Sequence, residues 1–290
     1  MEDIGLVFGG GGGKGAYQIG VWDAMQICGA DKYVKAVSGT SVGALNAVLF
    51  ALGDYDKACN IWNKIKQLDV TAPNLQLTDG LFSHDGLDQY IDSLDLQQLI
   101  HSKVDVYITV KHIADKNLFD KILETFLKIS YFPLNFFVPT NIHIGELVKY
   151  FGEGEIHNYH INSMNSSEIK DIMLASAAMA IIYNSVYVNE KRYIDAGVTE
   201  FSNVPISPLY ERGLKNIWVV PLSNKFDMHK IKTGAFSDFD AHDEYKDCNF
   251  KVIKPSKHLG GTLDFSKSII KKRFDLGKDD AIEAMSGMFF

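Results

Sequence analysis

The chain has 290 residues, 46 % of them hydrophobic and 22 % charged, with a formal net charge of −7. That length and apolar content are enough to bury a substantial core, and they exclude a disordered chain. The acidic balance leaves no basic face for nucleic acid, and the three scattered cysteines (Cys28, Cys59, Cys248) make neither a metal-type pair nor a disulfide framework.

The N-terminal "MEDIGLVFGG" lacks the basic region and long apolar core of a signal peptide. With the cysteines read as reduced and mostly buried, a cytoplasmic protein is expected. Ile4–Phe8 reads as a short buried strand. A run of five glycines, Gly9 to Gly13, follows, then Lys14 and Gly15. A helix is predicted over Ala16–Cys28, closed by Gly29. Val34–Ser38 reads as a strand running into "GTSVGALNAVLFALG", a helix from about Val42 to Gly53. Ala36–Leu52 is the most apolar window. Ser38, Thr40, Ser41 and Asn46 interrupt it, so no transmembrane segment is expected.

A third helix is predicted over Tyr55–Leu68, with Ile61, Trp62 and Ile65 on one face. "FSHDGLDQYIDSL" suggests another, with Asp85 as its cap. Val104–Val110 reads as a strand. Asn165 stands three residues before Glu168, a capping-box spacing that opens a helix. "SVYVNEKRYIDAG" reads as a hairpin turning at Asn189–Glu190. Asn216–Val220 and Phe250–Ile253 are late strands. Helices are expected at Ser266–Leu276 and Asp279–Met285. The alternation of strand and helix predicts a three-layer α/β fold. A mainly parallel central sheet carries helices on both faces, in one domain over residues 1–290. Residues 112–145 form a lid or an insertion in this reading.

Three sites can be built from a strand, a glycine loop and a helix. A phosphate-binding P-loop fails, because Phe8 stands at the required first glycine and Gly15 at the magnesium-binding Ser/Thr. A dinucleotide fingerprint is satisfied by Gly10, Gly12 and Gly15, but the acidic residue it needs at the end of the next strand is missing. An oxyanion hole remains. Successive backbone N–H groups at a helix N-terminus favour negative charge, and residues without a Cβ admit a close approach.

An oxyanion hole requires a nucleophile. Gly39-Thr40-Ser41-Val42-Gly43 is a G-x-S-x-G pattern placed between a strand and a helix, where a sharp turn exposes the serine hydroxyl. The alternative is a plain Ser–Gly helix cap. A serine needs a base. His143, His157, His160, His229, His242 and His258 have no context that selects one of them.

In these three segments the chain resembles the patatin-like phospholipase family. Gly10-Gly11-Gly12-Gly13-Lys14-Gly15 resembles its oxyanion loop, Gly39 to Gly43 its serine elbow, and Asp195-Ala196-Gly197 its D-G-[G/A] motif. The helix and hairpin before Asp195 and the helical region near the C-terminus are also similar. Two features depart: Ala196 replaces the usual glycine, and no proline occurs near Met179 or Ala180.

The resemblance implies a Ser41–Asp195 dyad that cleaves fatty-acyl esters, with the loop amides of about Gly11 to Gly13 holding the oxyanion. Lys14 either steadies the loop or is solvated. A methyl at Ala196 is tolerated if its φ is negative. The alternative is a catalytically silent lipid-binding or interaction protein of the same fold. The implied partner is a lipid substrate at a membrane or micelle surface. No cofactor or metal is called for, and the residues do not set the oligomeric state. The aromatic stretch 118–140 reads as a lid, a lipid anchor or core packing. The C-terminal "MSGMFF" reads as docked or membrane-facing. Lys267, Lys271, Lys272 and Arg273 read as a solvated basic face, with anionic headgroups as the alternative contact.

Overall fold

The computed structural model describes residues 2–65, 85–113, 154–178, 186–197, 200–228, 232–234, 237–238 and 244–288. The stretch 118–140, Met179, Ala180 and the terminal Phe289–Phe290 lie outside these residues. Eight strands make one sheet: β1 (Ile4–Phe8), β2 (Val34–Thr40), β3 (Asp105–His112), β4 (Glu155–His160), β5 (Val186–Val188), β6 (Lys191–Asp195), β7 (Asn216–Val220) and β10 (Asn249–Val252). Two short strands, β8 (Lys232–Gly234) and β9 (Ser237–Asp238), pair with each other.

The sheet runs β10-β7-β1-β2-β3-β6-β5, with β4 also on β3. From β10 to β3 every pairing is parallel. Beyond it the pairings of β4, β6 and β5 are antiparallel. The sheet is mainly parallel, as expected, and its antiparallel end is where the predicted hairpin β5–β6 joins it, since a hairpin cannot continue a parallel order. β1 and β7 are buried on both faces, which explains their unbroken apolar sequences. Ile4, Leu6, Phe8, Trp218 and Val220 join the larger core; Val7, Ile217 and Val219 join the smaller core on the other face, with Ile206 and Leu209.

β3 has three neighbours but only two edges. β4 lies along one edge, from Tyr107 to His112. The other edge is shared end to end: β2 pairs with Asp105–Thr109, and β6 with Val110–His112. β2 is parallel to β3 and β6 antiparallel, so their C-terminal ends meet. Thr40 ends opposite Thr109, and Asp195 ends opposite Val110.

The helices are α1 (Ala16–Cys28), α2 (Val42–Leu52), α3 (Tyr55–Lys64), α4 (Asp85–Asp92), α5 (Ser166–Ala177), α6 (Glu200–Asn203), α7 (Ser207–Glu211) and α8 (Lys267–Ala284). α1 and α2 end at Gly29 and Gly53, both left-handed, as the sequence predicts. α3 stops at Lys64, short of Leu68, and α4 already includes Asp85. The Asn165–Glu168 capping box is complete, a device worth roughly 1 kcal/mol. Asn189 and Glu190 both have positive φ, 47° and 64°, as a two-residue hairpin turn of the primed kind requires. The three cysteines are half-buried thiols and unpaired.

Two expectations about the C-terminal region are corrected. The predicted pair of helices is one continuous helix, α8, which runs through Gly277. Gly277 is not a break but a contact: with Gly20 of α1 it brings two backbones together, and a Cβ on either residue would strike the other helix's carbonyl. Nor is Arg273 solvated with its lysine neighbours; it is buried at 2 % exposure.

Candidate active site

Ser41 sits between the last residue of β2 and the first turn of α2, at φ 57° and ψ −128°. An L-residue is strained in that conformation, by about 1–3 kcal/mol. The turn is tight enough that Gly39 and Gly43 have no room for a Cβ. Gly39 would strike the Gly43 carbonyl, and Gly43 the Phe8 carbonyl of β1. Both glycines let α2 begin directly over the ends of β1 and β2. The Ser41 amide donates to Ser176 Oγ at 2.9 Å, and Ser176 donates in turn to the Thr109 carbonyl at 2.8 Å. Ser176 thus ties the strained turn to β3. The sequence reading missed it.

Asp195 ends β6 at the point where β2 and β6 meet. It is 5 % exposed, and its carboxylate lies close enough to the Ser41 side chain to be stabilised by it. Its Oδ1 accepts the Gly197 amide at 2.7 Å. Burial pushes the carboxyl up to about 6, against the Gly197 amide and the Ser41 side chain, which pull it down. A base in that range is better matched to neutral pH than an ordinary aspartate near 3.9. Ala196 is buried and does not share the positive φ of Ser41, Asn189 and Glu190, so its methyl is accommodated without backbone strain. Gly197 has no such latitude: a Cβ would lie 2.8 Å from Asn203 Oδ1 and 3.0 Å from Asp195 Oδ1.

The glycine loop is crowded by the protein itself. A Cβ on Gly12 would lie 2.6 Å from the Thr262 carbonyl, and one on Gly13 2.6 Å from the Asp264 carbonyl. Gly15 packs against Val42 and Trp62. Several loop amides are already committed. Gly9 donates to Val220, Gly10 to Asn203, Gly13 to Thr262 and Lys14 to Gly11. This leaves the amides of Gly11 and Gly12, a narrower set than the sequence implied. Both residues have positive φ, 159° and 54°. Lys14 is half-buried; burial and the Arg273 guanidinium lower its pKa.

Three buried polar devices hold the site together, and none was read from the sequence. Gln18 donates to the Gly9 and Val220 carbonyls, Asn46 donates to the Gly15 carbonyl and to Gln18, and Trp62 donates to Asn46. Both ends of the loop are fixed in this way. Ser202 donates to the Ala196 carbonyl and Thr40 to the Ser202 carbonyl at 2.7 Å, which joins the aspartate loop to β2. Arg273 donates to the carbonyls of Leu259, Asp264 and Gly261 at 2.8, 2.6 and 2.8 Å. That guanidinium locks the segment whose Thr262 carbonyl grips Gly13.

A cavity open to solvent lies over Ser41 and Gly12. Its remaining walls are almost wholly apolar: Val42, Leu45, Ile65, Leu87, Ile91, Met173, Leu263 and Phe265 among them. Of the histidines without sequence context, His157, His160 and His258 are described, and none is bonded to Ser41 or Asp195. Among the described residues the one His/Glu grouping with metal-ligand spacing is His112, Glu155 and His157, on β3 and β4. No described helix is long and apolar enough to cross a membrane.

Residues 6–210 match the profile described as patatin-like phospholipase. Lysophospholipase NTE1 of Chaetomium globosum is 36 % identical over 89 residues, which are 27 % of this chain and 6 % of that protein. The chain therefore spans a small fraction of that relative's length. The crystal structure of VipD from Legionella pneumophila aligns with 99 % of this chain and 67 % of its own, at 13 % identity and a TM-score of 0.48.

Proposed function

This chain belongs to the patatin-like phospholipase family, whose profile it matches over more than half its length, and on that premise we propose that it is a lipid acyl hydrolase of the phospholipase A or lysophospholipase type. Ser41 Oγ attacks the ester carbonyl carbon while its proton passes to Asp195. The amides of Gly11 and Gly12 stabilise the oxyanion; one such donor is typically worth ~2.7–4 kcal/mol of barrier. Collapse of the tetrahedral intermediate breaks the bond to the alcohol, which leaves with the proton from Asp195. Water then attacks the acyl-serine. Asp195 takes its proton and returns it to Ser41 Oγ as the fatty acid departs.

The observation that carries the reading is the meeting of β2 and β6 end to end on one edge of β3, which brings Ser41 beside the Asp195 carboxyl. The apolar cavity beside Ser41 supports an acyl chain as the group bound there. Lipid presented at a membrane or micelle surface is the matching substrate, in a reaction that these residues carry by acid–base and covalent steps.

Labelling with a fluorophosphonate probe tests the proposal. The wild type is expected to label, whereas Ser41→Ala and Asp195→Asn are not. Labelling of Ser41→Ala at the wild-type rate would assign the reaction to another serine.

A further inference from the structure

We propose that His112, Glu155 and His157 form a binding site for one divalent transition-metal ion of the Zn²⁺ class, separate from Ser41 and Asp195. The three residues come from neighbouring antiparallel strands. In the β3–β4 register His112 lies opposite Glu155, and His157 lies opposite Val110, two residues along. Alternation puts all three side chains on one face of the sheet. One ligand atom from each lies within 4.8 Å of the other two.

His157 Nε2 carries the argument further. It is shielded from solvent and makes no hydrogen bond. Its nearest carboxylate oxygen, Glu155 Oε2, stands 3.6 Å away, too far for a hydrogen bond. A buried imidazole nitrogen without a partner is unfavourable, and a metal ion bound between the two groups would satisfy it. Both imidazoles are also held in place. The ring of buried Tyr193 packs on His112 at 5.5 Å and on His157 at 5.9 Å between centroids. The Tyr193 hydroxyl is fixed by Tyr159 at 2.6 Å.

Two imidazoles and one carboxylate suit zinc, with a water in the fourth position; magnesium and calcium prefer all-oxygen sets. Bonds of about 2.0–2.2 Å require the three groups to close in slightly. Glu155, with its side chain 80 % exposed, is free to make that adjustment. A bound ion would pin β4 to β3, the strand along which β2 and β6 meet. His157, Val110 and Asp195 occupy one row across three strands, so the ion would lie about 10 Å from the Asp195 backbone, too far to touch the reacting atoms.

The test is calorimetric titration of ZnCl₂ into untagged, chelator-treated full-length protein, followed by thermal unfolding with and without the ion. The expected result is one zinc per chain and a raised melting temperature, with no shift from MgCl₂. His112→Ala and His157→Ala should each weaken binding about tenfold or more, and Glu155→Gln, at an exposed position, should weaken it without disturbing the fold. His101→Ala, at an exposed histidine elsewhere, should bind as the wild type does. A wild type that takes up no zinc overturns the proposal, as does undiminished binding by Glu155→Gln together with either alanine variant. Fluorophosphonate labelling does not depend on this site, so the two proposals fail separately.

Discussion

Replacing Asp195 by asparagine should stabilise the protein while it abolishes turnover. The carboxyl is pushed by burial from 3.8 to about 6. The folded state therefore holds a proton more tightly than the unfolded chain. Stability is greatest below the unfolded pKa and falls as pH rises through that window, levelling off above pH 6. At 1.36 kcal/mol per pH unit, keeping the charge buried at neutral pH costs ~3 kcal/mol. Asparagine has nearly the same shape, retains an oxygen for the Gly197 amide and carries no charge. The difference between variant and wild type should be near zero below pH 4 and grow to roughly 3 kcal/mol by pH 7–8. That corresponds to about 5–10 °C in melting temperature. Thermal unfolding across pH 3.5–8 measures it. In parallel, the acid limb of wild-type kcat/KM should fall near pH 6 as the base is protonated. A variant no more stable than wild type at pH 8, or a difference that does not change with pH, would refute the idea that burial costs Asp195 more than its partners return.

Three further outcomes are expected. Ser41→Gly should lose all activity yet gain about 1 kcal/mol of stability, because glycine relieves the positive φ; chemical denaturation reads the gain. Gly277→Ala should destabilise by ~1–3 kcal/mol or more, since its methyl meets the backbone of α1, and a lowered denaturation midpoint reports it. Arg273→Met leaves three carbonyls without their charged donor. It should cost at least roughly 3 kcal/mol and lower kcat more than it raises KM, because the Gly13 anchor loosens; steady-state kinetics on a soluble ester separates the two parameters.

Features set by local chemistry were legible in the sequence. The serine elbow, the glycine loop, the Asn165–Glu168 cap and the Asn189–Glu190 turn each follow from a few adjacent residues. Features set by distant partners were not. Nothing near Gly13 announces that Thr262 will take its amide, and nothing near Thr40 announces Ser202. The β3 sequence does not reveal that two strands will share one of its edges. Arg273 is different, because a signal was present. Ile270, Arg273, Gly277 and Ala281 recur at intervals of three and four, and they are the buried residues of α8. Counting charges along the helix hid that face. His112, Glu155 and His157 escaped for the same reason as Thr262: sheet register, not sequence spacing, puts them together.

The placement of β7 has a consequence for synthesis. β1 leaves the ribosome before β7, and the strand that fills one of its edges follows some two hundred residues later. At about 5–20 residues per second the wait is on the order of 10–40 s. Throughout that interval an apolar strand offers an open row of amides and carbonyls to any neighbouring chain, so a nascent polypeptide of this kind depends on being shielded until its own later half arrives.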